Sequence, residues 1–324
     1  MRTGRALVVA ALTATAIVVG AQPMSDARAP RATIPALTTI ADAAAPFDAT
    51  LDEGMLTSEV TAPDVRAMNF RSDALGRAMP YSIYLPPGYD MSTRHYPVLY
   101  MLHGMSGTND EWRGYGIFDT ADRMIRAREM RPLIIVLPQG DKAYWVDHAL
   151  PTDKEAWGRY MAKDVVANVD ARFRTLSDSQ HRAIGGVSMG AHGAMQLAMN
   201  YPDIFSVVGA HSLVLRRYDT APAYFGSQAD WAKRDPMQLV TAKVDLMNHL
   251  DVWIDIGSAD PWAKLAEQFN TELTTLKIDH QWHEWSGDHS ASYWESHLED
   301  YLRFYDGALR MHLGAMPADS IRLL

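Results

Sequence analysis

The sequence predicts an α/β fold with a mainly parallel central sheet and helices on both faces. Three features carry that prediction. From Pro80 onward, short apolar runs alternate with longer stretches of helical spacing. Several of the runs are almost wholly apolar, as strands buried on both faces must be. Between them lie crossover-length segments, which parallel neighbours require.

Taken in order, Pro80–Leu85 alternates apolar and polar positions and stops at Pro86-Pro87-Gly88, which predicts an early, outer strand. Tyr96–Leu102 is nearly continuous apolar sequence ending at His103-Gly104. Leu133–Leu137 repeats the pattern and closes on Pro138-Gln139-Gly140. Helical spacing follows over Glu155–Phe173. Next come a strand at Arg182–Val187, a helix at Met189–Asn200, and strands at Ser206–Ala210 and Asp251–Ile256. A helix over Trp262–Leu276, a strand at Gln281–Trp285 and a last helix over Ser290–Arg303 complete the set. In such a sheet ligands bind beyond the carboxyl ends of the strands, so the loops after each strand carry the chemistry.

The flanks read differently. Arg2 and Arg5 precede an apolar stretch, Ala6–Val19, built only from Ala, Leu, Val, Ile and Thr. It is shorter than the roughly 20 residues that span a bilayer. With small residues at Val19-Gly20-Ala21, residues 1–21 are expected to be a secretory signal peptide that leaves no membrane span after processing. Export to the cell envelope or medium is therefore the expectation. Residues 22–62 are rich in Ala, Pro, Thr and Asp and read as a linker or arm. The folded domain is expected at residues 63–309, with a tail over 310–324. The 324-residue chain has a net charge of −9 and no cysteine. The acidic balance argues against nucleic acid as a partner, since phosphate neutralisation supplies most of that affinity. The absence of cysteine excludes disulfides, thiolate metal sites and thiol catalysis.

One strand-to-helix loop carries Gly186-Val187-Ser188-Met189-Gly190. This is a G-x-S-x-G pattern, of which chance supplies about 0.08 copies in a chain of this composition. Between a buried strand and a helix it marks a nucleophile elbow, with Ser188 as nucleophile and the Met189 backbone N–H as an oxyanion donor. A serine hydroxyl needs a base, and the base needs an orienting carboxylate. In chain order the acid precedes the histidine. Among His280, His283, His289, His297 and His312, only His289 stands in a loop between a strand and a helix, after Ser286-Gly287-Asp288. For the acid, Asp260 follows Gly257-Ser258-Ala259 at a strand's carboxyl end, whereas Asp255 lies inside the strand and reads as a residue bonding nearby backbone. The second oxyanion donor is expected after Leu102-His103-Gly104, from the Met105 N–H, with His103 a structural imidazole. No metal or cofactor is implied. There is no H-E-x-x-H, and His280 and His283 have no third ligand in view.

The motifs Tyr100-Met101-Leu102-His103-Gly104, Asp110-Glu111-Trp112, Leu137-Pro138-Gln139-Gly140, Gly186–Gly190, Gly257–Asp260 and Gly287-Asp288-His289 follow one another as in the esterase D-like family. The chain resembles that α/β-hydrolase group over residues 67–305. The group includes feruloyl and acetyl xylan esterases, S-formylglutathione hydrolases and secreted mycolyltransferases. The resemblance implies a serine carboxylesterase with Ser188 as nucleophile, Asp260 as acid, His289 as base, and Met105 and Met189 as oxyanion donors. Phe225-Gly226 to Trp231 and Asp235-Pro236 also resemble the family's segment before the acid strand. Two departures separate the chain from the mycolyltransferase branch: Asp260 stands in place of glutamate, and His103 in place of aspartate. Glutathione thioester hydrolysis is cytosolic in the family, which conflicts with the export signal. Acyl transfer to a sugar or lipid alcohol, of the mycolyltransferase type, is the close variant of hydrolysis; a non-catalytic binding protein on the same fold is the competing class, against which the complete triad speaks. Trp112, Trp145 and Trp262, with Tyr115 and Tyr144, are expected to crowd the mouth. Their planes suit a carbohydrate-linked ester or an aryl acyl group, with a lipid ester as the other substrate expectation.

Overall fold

In the computed structural model, residues 62–314 are described, with side chains to residue 309. The expected signal peptide and most of the 22–62 arm fall outside the described residues, as does the end of the 310–324 tail. Eight strands form one sheet in the order β1-β2-β4-β3-β5-β6-β7-β8. These are β1 Asp64–Arg71, β2 Ala78–Leu85, β3 Val98–Leu102, β4 Ile134–Pro138, β5 Arg182–Val187, β6 Val207–His211, β7 Asp251–Gly257 and β8 Gln281–Trp285. The pairs from β4 through β8 are parallel, while β1/β2 and β2/β4 are antiparallel.

Pro80–Leu85, expected to be an early, outer strand, lies one strand in from the edge, between β1 and β4. Its neighbour β1 was not foreseen. β1 keeps only Phe70 buried, so it lacks the apolar run by which the inner strands announce themselves.

Side-chain alternation along the strands builds two cores. On β3, Val98, Tyr100 and Leu102 point into one core, while Leu99 and Met101 point into the other. The first face is covered by Trp157–Arg159 (α3), a π-helical stretch Tyr160–Val165, Val166–Arg172 (α4), Met189–Asn200 (α5), Pro236–Ala242 (α7), Val244–Met247 (α8) and Ala263–Thr275 (α9). The second is covered by Ile117–Arg126 (α2), Ala291–Ser296 (α10) and Leu298–Gly314 (α11), which follow the short helices Glu111–Gly114 (α1) and, on the loop before β7, Gln228–Ala232 (α6). Helix α6 is closed by a capping box, in which Ser227 and Asp230 each bond the other's backbone N–H.

The helix expected over Ser290–Arg303 is two, broken at His297. The second runs to Gly314, so His312 lies in helix rather than in a tail. Likewise the helix expected over Glu155–Phe173 is three consecutive pieces with a widened π turn in the middle. No helix among the described residues is long and apolar enough to cross a membrane.

Helix α5 is buried along nearly its whole length. Its His192 is fully enclosed, with Nδ1 and Nε2 each 3.0 Å from a carbonyl, those of Val214 and Arg234. Burial pushes this imidazole down to about 4, against the two carbonyls, which favour the charged form. In the unfolded chain a histidine takes up its proton near pH 6.5. The unfolded state therefore binds more protons between those values, and stability falls as pH falls. Wild-type protein should lose roughly 2 to 3 kcal/mol to this residue between about pH 7 and about pH 4.5. Urea unfolding at both values should show a His192→Asn variant losing that much less.

Candidate active site

Four loops at the carboxyl ends of the parallel strands meet at one point. Ser188 joins β5 to α5 with φ 58° and ψ −114°, a conformation that costs strain in any residue bearing a Cβ. Its N–H donates to the His211 carbonyl of β6 at 2.9 Å, and its own carbonyl accepts from the His192 N–H. The turn can close only because its neighbours are glycines. A Cβ at Gly186 would lie 2.5 Å from the Gly190 backbone, and one at Gly190 would lie 2.3 Å from the Leu102 carbonyl oxygen.

The three residues expected to act together are together. The Ser188 hydroxyl is 2.9 Å from His289 Nε2, and His289 Nδ1 is 2.7 Å from Asp260 Oδ2. The Asp260 carboxylate is fully buried; its second oxygen accepts the Trp262 N–H at 2.8 Å. His289 keeps 23% of its side chain accessible, so the imidazole sits between a dry carboxylate and an open mouth. The edge-on ring of Trp294, 5.2 Å away, holds its plane, and Trp294 is itself fixed by its indole N–H on Ser212 Oγ.

On the other side of Ser188 lies the loop after β3. A Cβ at Gly104 would be 3.6 Å from that of Ser188, so the loop backbone runs directly past the hydroxyl. The Gly104 N–H donates to Glu111 Oε2 at 2.6 Å. Among the described residues, the backbone N–H groups of Met105 and Met189 have no protein acceptor. His103 is structural, as expected. It bonds the Gly104 carbonyl through Nδ1 and accepts the Gly140 N–H on Nε2, tying the β3 and β4 loops together.

Two of the three tryptophans expected at the mouth are not there. Trp112 and Trp145 are each 1% exposed. Trp112 donates its indole N–H to the Leu102 carbonyl and packs on His211 and Tyr301. Trp145 stacks edge-on with His103 and fills the space left by Gly140 and Gly193. Both support the loops from below, because a large ring gains more by full burial than by half exposure. Trp262 alone of the three remains partly exposed, beside Asp260.

Asp255 also differs from its expectation as a strand residue bonding backbone. It is fully buried and accepts four side-chain donors: His211 Nδ1 at 2.6 Å, Trp253 Nε1 at 2.8 Å, Tyr301 at 2.9 Å and Tyr293 at 3.1 Å. His211 Nε2 meets the Tyr305 hydroxyl at 2.9 Å. This network joins β6, β7, α10 and α11 beneath the site, and the Tyr293 ring lies against Gly287, two residues before His289. Its only signal in the sequence was a buried acid in a strand; the tyrosines arrive from more than thirty residues away. Glu111 was likewise visible only as part of Asp110-Glu111-Trp112.

Three of the other histidines weighed as base after the acid strand have partners away from Ser188. His280 bonds Ile278 and Asn270, while His283 stacks on Trp253 and His297 on Trp285. Among the described residues, one group has metal-ligand spacing: His148, Asp153 and Glu155, whose ligand atoms lie within 4.8 Å of one another. Glu155 is neutralised by Arg77 and bonded by the Trp157 indole, and Asp153 is bonded by His148. None of them bonds a residue of the Ser188 site.

The Esterase family model matches residues 72–305, most of the described region. The chain belongs to that family. It is 31% identical over 145 residues to the esterase Rv1288 of Mycobacterium tuberculosis, a match covering 44% of this chain and 31% of that protein. It is 24% identical over 157 residues to an endo-1,4-beta-xylanase/feruloyl esterase of Xylanibacter ruminicola, covering 47% of this chain and 22% of the other. The match thus spans less than a third of either relative's length. Among solved structures, a ferulic acid esterase superposes with TM-score 0.69 at 23% identity, over 76% of this chain and 98% of that one. An S-formylglutathione hydrolase from Staphylococcus aureus gives TM-score 0.64 at 19% identity, over 76% and 99%. These likenesses establish the expected α/β-hydrolase fold.

Removing the acceptor at the centre of the buried network strands four donors. Asp255→Ala should cost about 3 to 5 kcal/mol of stability, because each buried donor left without its acceptor costs about 1 kcal/mol or more. Urea unfolding of the variant measures it directly.

Proposed function

We propose that this Esterase-family chain hydrolyses carboxylic esters through an acyl-enzyme on Ser188, with His289 as base and Asp260 as orienting acid. The observation that carries the reading is the continuous hydrogen-bonded line Ser188–His289–Asp260, with the uncommitted N–H groups of Met105 and Met189 in the two loops that flank the hydroxyl.

In the first half-reaction Ser188 Oγ attacks the ester carbonyl while its proton moves to His289 Nε2. Asp260 stabilises the imidazolium through the Nδ1–H bond. The carbonyl oxygen, now negative, is received by the Met105 and Met189 N–H groups, each such donor typically worth about 3 kcal/mol. Collapse breaks the bond to the alcohol oxygen, which leaves with the proton from His289. In the second half a water attacks the acyl-serine, giving its proton to His289, and the acid is released as Ser188 regains its hydrogen.

Trp262, beside Asp260, is the tryptophan positioned to touch substrate. Partly exposed indole suits a carbohydrate-linked or aryl ester, and the feruloyl esterase relative supports that direction. The Arg2/Arg5 and Ala6–Val19 pattern supports action outside the cytoplasm.

Three variants test the reading with p-nitrophenyl and feruloyl esters. Ser188→Ala should fold normally yet lose at least about a thousandfold in kcat; retention of a tenth of wild-type turnover would overturn the assignment. Asp260→Asn should slow turnover by about the same order, with the fold kept, whereas an Asp255 variant should act through stability. Glu111→Gln tests the oxyanion loop. Weakening its hold on the Gly104 N–H should lower kcat about tenfold or more with KM little changed, since the interaction matters most as the oxyanion forms.

A further inference from the structure

Arg216 stands in the loop after β6 with no carboxylate partner among the described residues. The preceding segment, Leu213–Leu215, is buried, and the Trp231 indole N–H bonds the Arg216 carbonyl at 2.8 Å, so the backbone is fixed. Its Nε–H donates to the Tyr144 hydroxyl at 2.6 Å, and the guanidinium lies 4.5 Å over the Trp262 ring. Trp262 is the residue whose N–H bonds the Asp260 carboxylate, so Arg216 is stacked on a ring attached to the triad itself.

Among the described residues, the two terminal nitrogens of Arg216 have no hydrogen-bond acceptor and no carboxylate lies within ion-pair distance of it. It lines a cleft of about 400 Å³. The other charges of that cleft are committed. Arg217 pairs with Asp219 at 3.3 Å, and Asp235 caps α7 by accepting the Gln238 N–H.

A half-buried arginine pinned by stacking has already lost water and side-chain entropy, so the cost of ordering it falls on folding and not on binding. Its planar fork then presents two parallel N–H donors matched to a carboxylate. We propose that Arg216 is an anion subsite that binds a free carboxylate on the ester, in either its acyl or its alcohol half. This rests on the esterase reading of Ser188 and narrows its substrates to carboxylate-bearing esters.

Two matched pairs of substrates test it on the full-length protein. Mono-p-nitrophenyl adipate against p-nitrophenyl hexanoate places the charge on the acyl side. 4-Carboxyphenyl butyrate against 4-acetylphenyl butyrate places it on the alcohol side. Wild-type protein should prefer the carboxylate member of one pair by about tenfold or more in kcat/KM, chiefly through KM, and added salt should shrink the preference. Arg216→Gln should bring that ratio close to one, and Arg216→Lys should restore part of it, because a point charge replaces the fork. Equal or reversed preference in both pairs would overturn the proposal. So would an Arg216→Gln variant that loses both members alike, which is what a purely structural arginine does. A wild-type protein inert toward all four esters would instead overturn the esterase reading, and this subsite with it.

Discussion

The reversal of the chain at Ser188 is the constraint on which the site depends. To turn from β5 into α5 within one residue, the backbone adopts a positive φ at a serine and brings Gly186 against Gly190, and Gly190 against the Leu102 carbonyl. Strain of this kind costs about 1 to 3 kcal/mol and persists only where surrounding contacts over-determine it. Here they do. The Ser188 N–H is anchored on β6, and α5 is buried along nearly its whole length. The result is a hydroxyl raised beyond the sheet, beside the Met105 and Met189 N–H groups, which have no acceptor among the described residues.

Around that turn, the partners are held by buried polar groups rather than by the apolar core. Asp255 gathers a histidine, a tryptophan and two tyrosines, and so fixes α10 and α11 against β6 and β7. His103 clasps the β3 and β4 loops, and Glu111 takes the Gly104 N–H. A buried acceptor left short of donors is costly, so each of these groups admits few alternative arrangements. Directional bonds of this sort can hold atoms to the tolerance that proton transfer needs; apolar packing alone cannot.

The same distinction separates what supports the site from what meets a ligand. The rings of Trp112 and Trp145 lie under the loops, whereas Trp262 and Arg216 remain partly open above them. Aromatic composition near a mouth therefore does not by itself give a sugar-binding surface. The partly open elements are an indole and the cationic fork stacked on it.

The sequence by itself determined the parallel α/β sheet and the elbow at Ser188. Those rest on local patterns: apolar runs bounded by turn residues, a glycine spacing that only a tight turn requires, and loops after strands. It also placed Asp260 and His289, because a loop at a strand's carboxyl end is where a side chain can reach across the sheet. The tertiary structure alone decided which tryptophans are buried, that β1 covers β2, and that Asp255 is the centre of a network. It alone decided, too, that Arg216 lies over Trp262. Each of these depends on contacts between residues far apart in the chain, and burial of a given ring or carboxylate is set by what the fold brings against it, not by its neighbours in sequence.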